Sequence, residues 1–288
     1  MTTLAAAYRI CRQVVHQADS SFTWGFWLLP KDQRQAMEAL YAFARRTDDL
    51  VDDARDSDTA QRQIQQWRDA LACTLASDSL GDADPVLAAT VDAARRFAIP
   101  HETLFEIVDG VSRDALPEPL QFATFDDLRG YCRQVASAVG IACLYIWGFR
   151  GEDALEQADH CGIAFQLVNI IRDFKEDFQR GRCYVPVDEL RSCGLSPNDW
   201  MAAATDQMFL KIVRAQTDRA ALYFERARGL DLAIAKPGRH LYRLMSHSYQ
   251  QLLEQIIRSP LAVRRERTRL PWSGRLKALA RTLAGTSP

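Results

Sequence analysis

From Leu120 to Val185 the chain runs 66 residues without a proline, and no other feature constrains its fold as strongly. Proline ends or kinks helices, so such a stretch is free to build long ones. Along it, as between the other prolines, apolar side chains recur three and four positions apart, as in Phe165, Val168 and Ile171. That is the period of a helix burying one face. Alternating β-branched runs bounded by turn dipeptides are absent. The 11 prolines act as punctuation instead. Leu28-Leu29-Pro30 followed by Lys31-Asp32 places one of them at the first turn of a new helix. The chain has 288 residues, 48% of them hydrophobic, enough for a large core. No repeat, low-complexity stretch or Gly/Ser/Pro-rich linker divides it. The fold read from this pattern is all-α: one domain over residues 1–288, a multi-helix bundle around a central cavity.

Charge and cysteine usage narrow the function classes. There are 36 basic and 37 acidic side chains, a net charge of −1, which argues against a nucleic-acid partner. The bases are 31 Arg and only five Lys; codon usage is the ordinary explanation, so only Arg residues placed beside other chemistry carry weight. Seven cysteines without a CxxC spacing indicate neither a zinc site nor a redox dithiol. They fit a reducing cytoplasm. The longest uncharged apolar run, Val139 to Phe149, has 11 residues, short of the roughly 20 that span a bilayer. One segment, Leu261 to Arg281, gathers seven bases around Leu270, Trp272, Leu276 and Leu279. It suits either a solvated helix face or peripheral contact with anionic lipid at the inner membrane face.

Two acidic clusters carry the chemistry. The first, Asp48-Asp49-Leu50-Val51-Asp52-Asp53, holds four acids in six positions. On a helix, Tyr41, Arg45, Asp48 and Asp52 fall within roughly 60° of one another. Carboxylates at i and i+4 repel, and a bound cation reverses the sign. Hard oxygen donors suit Mg²⁺, whose shell is completed by water and substrate phosphates. The second cluster follows 125 residues later, where Asp173 and Asp177 repeat the spacing. Gln166 precedes them by one heptad and Asn169 by one turn, within a strongly apolar helix where buried polar groups require partners. Arg45, Arg172, Arg180 and Arg182 lie within or just after these motifs. A cation on one side and guanidinium forks on the other are what a diphosphate requires.

These residues resemble the squalene/phytoene synthases, the head-to-head prenyl transferases. The resemblance rests on Tyr41…Arg45…Asp48-Asp49-Leu-Val-Asp52-Asp53 and on Gln166…Asn169…Arg172-Asp173…Glu176-Asp177, running into Arg180-Gly181-Arg182-Cys183-Tyr184-Val185-Pro186. Ser20-Ser21-Phe22, the stretch from Tyr131 to Gly140, and a late Tyr249 helix leading to Arg269-Leu270-Pro271 also agree. It covers essentially the whole chain in order. Two departures, Arg133 where an aromatic is common and Ser137 where glycine is common, leave the reaction class intact and blur the subfamily.

The resemblance implies an isoprenoid-synthase-type bundle that joins two prenyl diphosphates into a cyclopropylcarbinyl diphosphate with release of pyrophosphate. It assigns Mg²⁺ to Asp48, Asp52, Asp173 and Asp177, helped by Asn169. Arg45, Arg172 and Arg182 would hold phosphate oxygens. Gln166, Tyr131 and Tyr249 would orient the second diphosphate or the intermediate, and Ser21 and Phe22 near the start would bind substrate. Phe22, Phe165 and Tyr41 are candidate faces for a carbocation. The bulky group Phe22, Trp24, Phe26 and Trp27 favours a C15 substrate, farnesyl diphosphate, and a presqualene diphosphate or squalene-type C30 product. Phytoene formation from two geranylgeranyl diphosphates is the alternative. NADPH enters only with a reductive second step, and no Gly-rich nucleotide fingerprint is present. Downstream terpenoid enzymes would take the product. A head-to-tail elongase or a terpene cyclase also pairs metal with acidic helices, but neither fits the Gln-x-x-Asn-x-x-Arg-Asp-x-x-Glu-Asp arrangement. A catalytically silent lipid-binding or assembly factor would have eroded aspartates, and both clusters are intact.

Overall fold

The structure, a computed structural model, describes residues 3–18, 23–117, 120–269, 278, 281–282 and 285–288. Among them are thirteen α-helices and no strand, only an isolated bridge between Phe149 and Ile234. The helices are α1 (Leu4–Gln17), α2 (Lys31–Asp52), α3 (Ser57–Ala76), α4 (Pro85–Phe97), α5 (His101–Ser112), α6 (Phe125–Cys132) and α7 (Ala138–Trp147). They continue with α8 (Ala154–Gln179), α9 (Val187–Ser192), α10 (Trp200–Ala203), α11 (Asp206–Arg226), α12 (Leu230–Ala233) and α13 (Lys236–Arg258). The all-α expectation holds.

Local chemistry sets the helix starts. Asp56 and Asp84 accept hydrogen bonds from the backbone N–H groups of Thr59 and Val86 at the heads of α3 and α4. Pro85 follows as the first residue of α4, where its missing N–H leaves nothing unsatisfied. Thr124 and Asp127 form a reciprocal capping box on α6. Helix α2 begins directly after Pro30, as the sequence implies.

The chain divides into two compact units. The first comprises Met1–Pro117, Ala138–Ala154 and Ala233–Leu241. Its hub is α2, which packs on α1, α3, α4, α5 and α7. Ala36, Ala39, Ala42 and Phe43 on α2 are wholly buried; the small side chains let neighbouring helices approach. Phe43 stacks on Trp67, whose indole N–H donates to Thr47 Oγ1 at 3.0 Å.

The second unit comprises Glu118–Ser137, Leu155–Leu232 and Tyr242–Pro288. Leu167, Ile171 and Phe174 of α8 are buried with Trp200, Phe209 and Ile256. Between α6 and α7 the chain makes a π-helical turn, Arg133–Ser137. Gly162 of α8 lies against it so closely that a Cβ there would sit 2.4 Å from Ser137 Cα. The two departures from the family pattern find local partners here. Arg133 pairs with Asp159 at 3.0 Å, and the buried Ser137 hydroxyl donates to the Asp159 carbonyl at 2.8 Å.

Candidate functional site

The last three turns of α2 carry the first acidic cluster, with Asp53 just past the final helical residue. The buried Thr47, bonded to Phe43 O and Trp67, fixes the helix at the residue before Asp48. Tyr41, Arg45, Asp48 and Asp52 are all helical, so the stripe read from their spacing exists. Arg45 spans one turn to Asp49 at 2.8 Å. Asp48 is exposed to solvent, yet protein is packed densely around its carboxyl. Its carboxyl is pushed up to about 7, first by that enclosure and then by repulsion from Asp52 and Asp114, with Arg45 pulling the other way and Asp49 adding to the rise.

Asp114 is the residue that sequence reasoning missed. It lies in a 3-10 turn, Arg113–Ala115, directly after α5, and adds its charge to the Asp48 environment. The acid four positions on, Glu118, sits between Pro117 and Pro119, so no helical spacing marks Asp114.

The second cluster lies on α8, whose buried face of Leu167, Val168, Ile170, Ile171 and Phe174 holds a half-buried polar stripe. Asn169 donates to Gln166 Oε1 at 3.4 Å and is hydrogen-bonded to Tyr249. The Asn169 Oδ1 atom is buried and takes no hydrogen bond. Tyr249 stacks flat on Phe165, 4.1 Å between ring centres, and burial raises its hydroxyl pKa. Arg172 forks onto Asp173 at 2.8 and 2.5 Å. Burial alone would lower the Arg172 pKa, and Asp173 more than offsets it.

The Arg180-Gly181-Arg182 tail is a helix terminator. Gly181 adopts φ +75°; its N–H donates to Phe178 O at 3.0 Å and that of Arg182 to Asp177 O at 2.8 Å. This is a Schellman motif, for which a left-handed glycine is the usual residue.

Tyr131 is buried between Phe122 and Tyr184, with ring centres 5.3 and 5.7 Å away. Phe26 is buried and meets Tyr41 edge-on at 6.4 Å. Trp27, by contrast, is 60% exposed with the Arg34 guanidinium over its ring at 4.5 Å, so it does not join Phe26 in a bulky wall. Its 3-10 turn, Thr23–Leu28, turns the two side chains apart. Ser20, Ser21 and Phe22 lie outside the described residues, as does the Trp24 side chain.

The basic segment after Leu261 is described in part. From Leu261 to Arg269 it is the rest of a 3-10 turn, Pro260–Arg264, followed by non-helical chain, and the described Ala278 and Arg281 are helical. Arg264 pairs with Asp206, and Arg267 with Asp173 and Glu176. Leu270 to Lys277, including Trp272, lies outside the described residues. No described helix is long and apolar enough to cross a membrane.

The donor chemistry of both stripes fits a divalent cation. Asp48 is crowded by like charges that a cation would neutralise, and Asn169 offers a buried acceptor without a donor. At Asp173 guanidinium groups already stand where positive charge is needed. Among the described residues no three His, Cys, Asp or Glu side chains converge tightly enough to hold an ion alone. Each stripe offers pairs, and Mg²⁺ characteristically uses one or two carboxylates with water and phosphate oxygens.

Comparisons agree with this architecture. The squalene/phytoene synthase family model matches residues 15–275. A phytoene synthase of Mycobacterium bovis is 33% identical over 290 residues, covering 99% of this chain and 93% of the relative. A presqualene diphosphate synthase of Rhodopseudomonas palustris is 31% identical over 263 residues, covering 90% and 91%. The crystal structure of a squalene synthase from Alicyclobacillus acidocaldarius matches with a TM-score of 0.79 at 25% identity, covering 88% of this chain and 94% of that one. That of a dehydrosqualene synthase matches with a TM-score of 0.84 at 24% identity, covering 98% and 97%, and bears on the fold alone. The chain belongs to the squalene/phytoene synthase family, whose members are prenyltransferases.

Proposed function

We propose that this chain, acting as one catalytic domain over residues 1–288, condenses two identical allylic prenyl diphosphates. C1 of one joins C2 and C3 of the other; one pyrophosphate and one proton leave, and a cyclopropylcarbinyl diphosphate remains. The observation that carries the metal dependence is the orphaned Asn169 Oδ1 on the Asp173 stripe. Asp48 and Asp52, and Asp173 and Asp177 with Asn169, hold Mg²⁺, which when bound neutralises charge on the departing pyrophosphate. Arg45, Arg172 and Arg182 bind phosphate oxygens through charge-assisted hydrogen bonds. Gln166 and Tyr249 orient the second diphosphate, Tyr131 supports that end from its aromatic cluster, and Ser21 and Phe22 contact the first substrate. Phe22, Phe165 and Tyr41 each offer a π-face of the kind that stabilises a developing carbocation.

The buried Phe26 against Tyr41 favours a C15 over a C20 tail. A second reading also has support: several relatives, among them the Mycobacterium one that is similar over nearly the whole chain, are named phytoene synthases, which would make the substrate C20. Incubation with farnesyl or geranylgeranyl diphosphate and Mg²⁺, with and without NADPH, separates these readings. C30 product from the C15 substrate is expected. C40 product alone would overturn the chain-length assignment, and no pyrophosphate release from either would overturn the activity. Phe26→Ala should raise the share of C40 product by opening the wall beside Tyr41.

A further inference from the structure

We propose that Arg267 is a mobile counter-ion of the second aspartate stripe, holding Asp173 in the metal-free protein and passing to a phosphate oxygen once a divalent cation takes the carboxylate. This rests on the reading of Asp173 as a metal ligand. Asp173 receives two guanidinium forks. Arg172 bonds Oδ1 and Oδ2 at 2.8 and 2.5 Å, and Arg267 reaches the same two oxygens at 2.8 and 3.5 Å. An ionised carboxylate offers about four lone-pair positions, and the two forks address both oxygens. A cation cannot bind there until at least one fork withdraws.

The two arginines differ in their freedom to do so. Arg172 is adjacent to Asp173 on α8, and its side chain is 20% exposed. Arg267 comes from non-helical chain 94 residues away and is 40% exposed. Its segment is pinned just upstream, where Arg264 bonds the carbonyls of Met201 and Ala204 at 2.7 and 2.9 Å and lies over Phe209. Lys175 donates to the Arg265 carbonyl. Beyond that anchor Arg267 lines a polar cavity of about 610 Å³ with Lys175, Gln179, Gln255, Ser259 and Thr268, which leaves room for the side chain to swing. Once Asp173 binds a dication, Arg267 meets repulsion from the metal and attraction from the diphosphate beside it. Its second contact, Glu176 at 3.7 Å, is too long to hold it.

Opposite responses in two titrations test the exchange. Mn²⁺ serves as the spectroscopic cation, followed by the resonance of the free ion, alone and with inorganic pyrophosphate. Arg267→Gln should bind Mn²⁺ alone about threefold or more tightly than wild type, because a competitor is gone. It should bind Mn²⁺ with pyrophosphate about tenfold or more weakly, because a charge-assisted contact is lost. Arg267→Lys, which keeps the charge without the fork, should fall between and serves if the glutamine variant folds poorly. In wild type, amide hydrogen exchange at residues 265–268 should quicken with Mn²⁺ and slow again when pyrophosphate is added. Equal weakening in both titrations, no change in either, or exchange indifferent to Mn²⁺ would overturn the proposal. Asp173→Asn separates the layers: if it binds Mn²⁺ with pyrophosphate as wild type does, the metal reading falls too. If it loses binding while Arg267→Gln shows no opposite signs, only the counter-ion role falls.

Discussion

Asp48 carries its charge beside Asp52, Asp114 and Asp49, and its carboxyl pKa stands at about 7, first through enclosure by protein. The folded-state value lies above the unfolded value of 3.8, so between the two the folded chain binds more protons than the unfolded one. Stability is therefore greatest below the unfolded pKa and falls as pH rises through 7. Asp48→Asn removes that penalty. Because water reaches the side chain, the gain at pH 8 is discounted to about 1 kcal/mol, or ~2–4 °C in Tm, and it shrinks as pH is lowered toward 5. Turnover should move the other way, falling on the order of a hundredfold with the loss of a charge-neutralising ligand. Thermal melts of the metal-free protein at pH 5 and 8, beside pyrophosphate release, check both signs. A variant that is less stable at pH 8 would contradict the crowding argument.

Among the elements, α8 depends on two glycines for different reasons. Gly181 ends it at φ +75°, where Gly181→Ala strains the backbone by about 1 kcal/mol and should lower Tm by a few degrees. Gly162 is a matter of space. A Cβ there meets Ser137 Cα at 2.4 Å and Ser137 N at 2.6 Å, backbone atoms that no rotamer change can move. Gly162→Ala should cost about 1–3 kcal/mol or more, read as a lower urea midpoint at unchanged slope. Adding Ser137→Gly should not rescue it, since the crowded atoms are not side chain. Rescue by Ser137→Gly would show that the Oγ contact, not the backbone, sets the spacing. The same helix shows what was readable in advance. Pro30 before α2, the i,i+4 aspartate pairs and Arg180-Gly181-Arg182 all act between near neighbours in sequence, and spacing encodes near neighbours. The π turn at Arg133–Ser137 carries side chains that an α-helix would also accept, so nothing local announces it. The acid four positions beyond Asp114, Glu118, stands between two prolines that break any helical period, and Arg267 reaches Asp173 across 94 positions. Those placements come from tertiary packing, which no local period records. The opposite orientations of Phe26 and Trp27 belong to the same class.

Across the molecule, one buried ion pair ties distant parts of the second unit together. Asp231 is fully buried and Arg243 nearly so, bonded at 2.9 and 2.6 Å through a single oxygen, Asp231 Oδ2. The Ser287 hydroxyl donates to that oxygen at 2.9 Å, and one turn along α13 the His247 ring donates to Thr286 O at 3.2 Å. Asp231 Oδ1 takes no hydrogen bond, so the pair is imperfectly satisfied. Such a pair adds little net stability, yet removing one partner strands the other charge. Asp231→Asn should therefore cost about 3–5 kcal/mol. The double change Asp231→Leu with Arg243→Met removes both charges and should recover most of that loss. The non-additivity is the signature, since two independent contacts would sum. The arrangement also sets a pH dependence. Burial lowers the His247 pKa, with Arg281 and Arg243 adding to the effect and the Thr286 carbonyl opposing it. The unfolded chain then binds the proton more readily, so stability rises with pH through the unfolded value of 6.5 and is lost below it. His247→Gln should flatten that acid limb in urea midpoints taken from pH 5 to 8. An unchanged limb would place the acid sensitivity in other groups.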